Sequence, residues 1–372
     1  MQRIMFLIGL VFLWLCHISV LCEAQTKPAV KPDKNVKAVD AFVRDKMAAL
    51  NIPGLSIAVI RDGKIVFAKG YGMANLELSV PATEKTNYPI TSITKTFTAI
   101  ATMMLVEEGK VSLEDPISKY FAELPITWHS VTIRQLLNHT SGISSFTNHK
   151  KIPCPVGKDV RDYQKGDVLK EVACLPLDFT PGERWAYGDT GYYLLGMLIE
   201  KVAGKSYEQF LRERIFTPLG MNDTRLISYT ELIPNRADGY DFQNGSFRNE
   251  KGFEINEFGN AGLVSTVLDM AKLDVALGGE KLLKRATLKQ MWTNAKLNSG
   301  EIVASYGLGF GLTPFRGHRR VGHSGGGGLG FTTTFTRFID HKITVIILSN
   351  ANQEGFVISD MANEIASFYF PN

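Results

Sequence analysis

The sequence has 372 residues, with 41 Lys and Arg against 37 Asp and Glu and a formal net charge of +4. That near balance, with no basic stripe interleaved with aromatics, argues against a nucleic-acid-binding protein. The length suffices for one large globular unit or two interleaved ones.

The chain opens with Arg3 and an apolar stretch from Ile4 to Cys22, and the small residues Cys22 and Ala24 flank Glu23. Residues 1–24 therefore read as an export leader cleaved after Ala24. The competing reading is an uncleaved anchor, because the stretch nearly reaches bilayer-spanning length. Bulky Leu21 argues against lipid attachment at Cys22. Cleavage removes Arg3 and Glu23 together, so the net charge holds, and it also removes Cys16 and Cys22. The remaining pair, Cys154 and Cys174, is expected to form a disulfide in an oxidising compartment. Closing so short a loop contributes about 3 kcal/mol in the chain-entropy model; the alternative is two unrelated buried thiols. Beyond the leader no apolar run approaches membrane-spanning length, so the mature protein is expected to be secreted or periplasmic. The seven histidines include no His-x-x-x-His pair, and neither a metal nor an organic cofactor is implied.

Residues 25–35 carry lysine and proline and read as a disordered linker. A domain over 36–372 follows. Val39, Phe42, Val43, Met47 and Leu50 have helical spacing. Leu55 to Ile60 reads as a strand, and Asp62-Gly63 as a tight hairpin turn into Ile65-Val66-Phe67. A helix is expected from Ser92 to Glu108, stopped by Gly109. The clearest later helices are 133–138, 191–203, 207–215 and 265–277, and 356–368 closes the chain. Strand signals return at Phe331–Phe338 and Ile343–Leu348, both rich in β-branched residues. Strands at both ends with helices between imply a mixed α/β fold. Its antiparallel sheet is built from both chain ends (about 36–91 and 301–372), with a mainly helical region (about 92–300) inserted.

Three patches carry chemistry. Ser92-Ile93-Thr94-Lys95 opens a helix; Tyr187-Gly188-Asp189 and Gly322-His323-Ser324-Gly325-Gly326 follow in order. A serine hydroxyl needs a base to become a nucleophile at neutral pH. Positions i and i+3 of a helix lie on one face, about 5–6 Å apart between Cβ atoms, so Lys95 reaches Ser92. Alone, Ser-x-x-Lys is a weak signal, and Ser92 also suits a plain helix cap. The glycine run also matches G-x-S-x-G and G-x-G-x-x-G, but each of those needs a helix after it, and Phe331-Thr332-Thr333-Thr334-Phe335 reads as strand.

The ordered patches resemble the serine β-lactamase and penicillin-binding-protein superfamily, in its class C β-lactamase-like and D,D-peptidase-like branch. The likeness extends through Leu136-Leu137-Asn138-His139-Thr140-Ser141-Gly142, Pro181-Gly182-Glu183-Arg184-Trp185, Gly191-Tyr192-Tyr193-Leu194-Leu195-Gly196, Pro218-Leu219-Gly220-Met221 and Gly262-Leu263-Val264-Ser265-Thr266. Ser-x-x-Lys is a general signature of that superfamily. The resemblance implies that Ser92 is acylated, Lys95 accepts its proton and Tyr187 shuttles it to the leaving group. It implies an oxyanion hole from the backbone N–H groups of Ser92 and Gly326, and substrate contacts from Asp189, His323, Ser324 and Gly325.

Two departures stand out. Asp189 occupies a position usually held by Asn; when ionised it only accepts hydrogen bonds, and it favours a charged Lys95. His323 replaces the usual lysine, and partial charge near neutral pH would let it hold a substrate carboxylate less firmly as pH rises. The expected function is an exported serine hydrolase acting on amides, esters or β-lactams, with peptidase or esterase ranked above β-lactamase. Its partner would be a small-molecule or peptide substrate, cell-wall peptides included. The alternative, kept open by Asp189, is a non-catalytic receptor for penicillin or peptidoglycan fragments. The sequence leaves the oligomeric state open.

Overall fold

The computed structural model describes residues 35–147, 166–228, 230–250, 258–303, 305–328, 330–352 and 357–371. The expected leader, nearly all of the expected linker, and Cys154 lie outside these residues. Cys174 is disulfide-bonded.

After helix α1 (Val36–Ala49), strands β1 (Gly54–Arg61) and β2 (Lys64–Asn75) form the expected hairpin. Asp62 and Gly63 have φ of 50° and 73°, the two positive values that match a type I′ turn to the right-handed twist of its strands. Short β3 (Val80–Pro81) and β4 (Tyr88–Pro89) lead to a 3₁₀ turn, Thr91–Ile93, and then α2 (Thr94–Glu107). Next come α3 (Ile133–Leu137), α4 (Asp167–Ala173), α5 (Thr190–Ala203), α6 (Tyr207–Leu211) and α7 (Thr217–Leu219). The short strands β5 (Arg225–Leu226), β6 (Tyr240–Gln243), β7 (Ser246–Asn249) and β8 (Leu263–Ser265) precede α8 (Val267–Gly278) and α9 (Arg285–Met291). The chain returns as β9 (Arg320–Gly328), β10 (Phe331–Phe338), β11 (Ile343–Ser349), β12 (Ala351–Asn352) and α10 (Ile358–Ser367).

The main sheet has the order β3-β2-β1-β11-β10-β9. Both chain ends complete it, since β1 and β11 run antiparallel side by side with Ile57 opposite Ile347. Seven of the eight β1 residues are buried, because both faces of this strand are covered. Period-2 alternation divides its side chains between two cores. Leu55, Ile57 and Val59 pack with Val39 and Val43 of α1 and Ile365 of α10. Ala58 and Ile60 belong to the other core, with Phe97 of α2 and Leu273 of α8.

Helix α2 is buried on every side from Thr94 to Leu105. Its polar residues are satisfied internally, as buried polar groups must be: Thr96 Oγ1 donates to the Gly309 carbonyl at 3.1 Å and Thr98 Oγ1 to the Gly259 carbonyl at 2.6 Å. Gly109, with φ of 69°, ends the helix in the left-handed conformation a glycine allows. The inserted region differs from expectation in one respect. Its short strands also build two three-stranded sheets, β4-β8-β5 and β12-β6-β7, the first completed by β4 from before it and the second by β12 from the chain's end. Strands of two to four residues carry too little alternation to show in a sequence.

Candidate active site

Ser92 sits in the 3₁₀ turn rather than on α2 itself, half-buried at the helix mouth. The preceding Thr91 has φ of 44°, an uncommon conformation for a non-glycine residue and a mark of local strain held by its surroundings. Those surroundings are β9. A Cβ placed on Gly325 would lie 2.0 Å from Thr91 Oγ1 and 2.7 Å from the Ile90 carbonyl oxygen. Only glycine lets the edge strand close onto the turn that carries Ser92. Pairing between β9 and β10 slips between Phe331 and Thr333, a bulge at the Gly326-Gly327 step that bends the edge strand, a device common beside active sites. The backbones of Ser92 and Gly326 thus stand on neighbouring segments. Ser324 points to the surface, its hydroxyl 3.1 Å from Thr334 Oγ1.

Lys95 is fully buried and uses all three of its donors. Its Nζ donates to Ser92 Oγ at 3.0 Å, to Asp189 Oδ1 at 2.6 Å and to the Asn260 carbonyl at 3.0 Å. Nζ also lies 4.8 Å from the centre of the Tyr187 ring. Burial pulls the Lys95 pKa down, but Tyr187 and Asp189 outweigh it and hold the ammonium above its ordinary range. Burial likewise raises the Tyr187 phenol, against the pull of Lys95 and of hydrogen bonding from Lys95 and Ser92. Although Tyr187 is 41% exposed as a residue, its hydroxyl end faces this cluster. At rest, then, the lysine is charged and the phenol is neutral.

Asp189 is fixed from several sides. Thr147 Oγ1 donates to its Oδ2 at 3.0 Å, and its own backbone N–H donates to Ser145 Oγ at 3.0 Å. Ser92, Lys95, Tyr187 and Asp189 are therefore brought together from stretches far apart in sequence.

His323 corrects one expectation. It is buried, with its Nδ1 2.6 Å from the Ser324 carbonyl and its Nε2 2.9 Å from Tyr306 Oη. A carbonyl only accepts, so Nδ1 carries the proton and Nε2 accepts from the tyrosine. Burial, reinforced by the Lys95 charge, lowers its pKa to about 4. It is neutral at pH 7, not partly charged, because the site is desolvated and already holds a cation.

The geometry adds residues that the sequence reading gave no role. His139 is buried against Tyr187, Tyr192 and Tyr306 at ring distances of 4.4, 5.1 and 4.8 Å. Gly188 N–H donates to its Nδ1 at 3.3 Å and Ala186 N–H to its carbonyl at 2.9 Å, so it anchors the Tyr187 loop. Burial and the neighbouring Lys95 hold its pKa well below the usual histidine value. Its only signal in the sequence is its place in the Leu136–Gly142 motif. Tyr306 and Asn260 stand in no local pattern that points to the site.

The beta-lactamase family model matches residues 39–367. Penicillin-binding protein 4* of Bacillus subtilis is 31% identical over 320 residues, covering 80% of this chain and 68% of that protein. The octameric penicillin-binding protein homologue from Pyrococcus abyssi superposes with a TM-score of 0.75 at 34% identity, over 89% of this chain and 76% of that one. The D-amino acid amidase from Ochrobactrum anthropi SV3 gives 0.76 at 25% identity, over 89% and 98%. With a match running from α1 to α10, this chain belongs to the beta-lactamase family.

Proposed function

We propose that the protein is an exported serine hydrolase that forms an acyl-Ser92 intermediate with amide or ester substrates. The observation that carries this reading is the buried Lys95 ammonium, 3.0 Å from a half-exposed Ser92 hydroxyl, with Tyr187 at its side. Ser92 Oγ attacks the substrate carbonyl carbon, and its proton passes to the Lys95–Tyr187 pair, which must first have lost one of its own. The Ser92 and Gly326 N–H groups face the oxyanion. The C–N or C–O bond then breaks, and Tyr187 returns the proton to the leaving group. Water, losing a proton to the same pair, then attacks the acyl carbon; the acyl–Oγ bond breaks and the pair returns that proton to Ser92 Oγ. Export rests on the leader-like residues 1–24.

The substrate class follows from the two departures. A neutral His323 offers no cation to a terminal carboxylate, and Asp189 presents only acceptors. Amides and esters without a terminal carboxylate are favoured over β-lactams and D,D-peptides, in keeping with the amidase among the structural relatives. The second reading, a non-catalytic receptor for penicillin or peptidoglycan fragments, draws on the Asp189–Lys95 ion pair, which disfavours a free base. A fluorophosphonate probe separates them: labelling that vanishes in Ser92→Ala supports the hydrolase, and its absence with saturable ligand binding supports the receptor. A panel of D-amino acid amide, nitrophenyl ester, D-Ala-D-Ala peptide and chromogenic cephalosporin then ranks the substrates.

A further inference from the structure

A cleft of about 1330 Å³ opens between α8, α9, the β1–β2 and β10–β11 turns and the start of β9. It is separate from the Ser92 site. Arg320, at the cleft, and Gly325, against Thr91, are five residue steps apart along β9, or roughly 16 Å at strand rise.

Its walls carry Arg285, Lys289, Arg319, Arg320, Arg337 and Lys342 against two carboxylates, Asp62 and Asp274. Asp274 is held by Arg337 at 2.6 Å, and Asp62 leans on Arg61 at 3.9 Å. At the rim, Glu280 and Asp340 pair with Arg285 and Arg319. Among the described residues no carboxylate forms an ion pair with Lys289, Arg320 or Lys342. The wall between the cations is apolar, with Leu288, Trp292 and Leu312. The Arg337 guanidinium lies 5.2 Å from the centre of the Trp292 ring. Arg337 is only 6% exposed, yet its Nη1, together with Trp292 Nε1 and Asn294 Oδ1, makes no hydrogen bond among the described residues. Lys289 and Lys342, by contrast, are exposed on the cleft walls, and their uncompensated charge suits an anionic group.

We propose that this cleft binds an anionic amphiphile, its phosphate or carboxylate head against Lys289 and Lys342 and its hydrocarbon body along Trp292, Leu288 and Leu312. The inference is independent of the hydrolase reading, since no group of the Ser92 site enters it.

The test is calorimetric titration of the whole protein with decyl phosphate below its micelle concentration. One saturable site is expected, with inorganic phosphate binding about tenfold more weakly or worse, because it lacks the apolar contact. The double variant Lys289→Glu/Lys342→Glu should weaken decyl phosphate by about tenfold or more while leaving the thermal midpoint of the unliganded protein in place, as both side chains are exposed. Ser92→Ala should bind as the parent does. Sedimentation with phosphatidylglycerol vesicles distinguishes the source: lysine-dependent pelleting points to a membrane lipid, and its absence, with decyl phosphate binding kept, points to a free amphiphile. The proposal is overturned if no saturable binding is seen, if the lysine variant binds undiminished, or if binding is lost in Ser92→Ala.

Discussion

Two buried ion pairs of this protein share a separation of 2.6 Å and little else: Lys95–Asp189 at the mouth of α2, and Arg337–Asp274 near the other end of the main sheet. Lysine is a compact ammonium that titrates when its surroundings shift it; arginine stays charged under all ordinary conditions. Lys95 spends its three donors on a serine hydroxyl, a carboxylate and a carbonyl, so that any change in its protonation is felt at Ser92. Arg337 spends its Nε on Asp274, which also accepts from Thr344 Oγ1 at 2.7 Å, and ties α8 to β10 and β11. One pair sets a reactive state, while the other fastens a helix to a sheet. Equal geometry therefore says little about role until the titration behaviour of the cation and its third partners are counted.

The largest effects belong to the first pair's surroundings. Ser92→Ala removes the atom that would be acylated, and turnover should vanish. Tyr187→Phe leaves packing almost intact but deletes the proton carrier, with an expected loss on the order of 10²–10⁴ in kcat/KM. Assay of both on an ester and an amide checks this; a Tyr187→Phe enzyme at parental rate on both would remove the phenol from the mechanism.

The second pair should answer in stability instead. Asp274→Ala strands the Arg337 charge in an apolar setting, and breaking a buried pair in this way costs about 3–5 kcal/mol. Denaturant unfolding should register that loss, while kcat/KM per folded molecule stays near the parent value. A large catalytic defect without destabilisation would erase the contrast drawn between the two pairs.

His323 links the catalytic region to stability through pH. Its pKa is about 4 in the folded protein and 6.5 ordinarily. Between those values the unfolded chain binds a proton that the folded one does not, so stability falls as pH drops from 6.5 toward 4. The full span amounts to about 3 kcal/mol. His323→Gln should remove that contribution from unfolding measured across the window, leaving a slope of the same sign from His139, which is displaced in the same direction.

How much of this was legible in the sequence varies with the range of the interaction. The hairpin at Asp62-Gly63, the strands at Phe331–Phe338 and Ile343–Ser349 and the stop at Gly109 are local, and alternation or a single glycine announces them. The Ser92–Lys95 contact is one turn long, and helical spacing suffices for it. Tyr187 and Asp189 were placed at the site by resemblance, not by any periodicity. Tyr306, Asn260 and Thr147 reach it only through the tertiary fold. The sign of the His323 shift was hidden for the same reason, because burial and the Lys95 charge are properties of the assembled site and not of a glycine-rich strand.

The smallest expected effect is also the most discriminating. Asp189→Asn keeps the side chain's shape and an acceptor near Lys95 but removes the negative charge that helps hold the ammonium above its ordinary range. Lys95 should then lose its proton at lower pH. Because the form needed for attack has one proton fewer on the Lys95–Tyr187 pair, the alkaline rise of kcat/KM should move toward neutrality. The neutral amide also regains a donor for an acylamino group, so β-lactam turnover should increase. A profile that stays put while the rate collapses would mean that Asp189 acts by fixing the position of Lys95, with its charge immaterial. The buried pair at α2 would then be no more than a second copy of the fastener at α8.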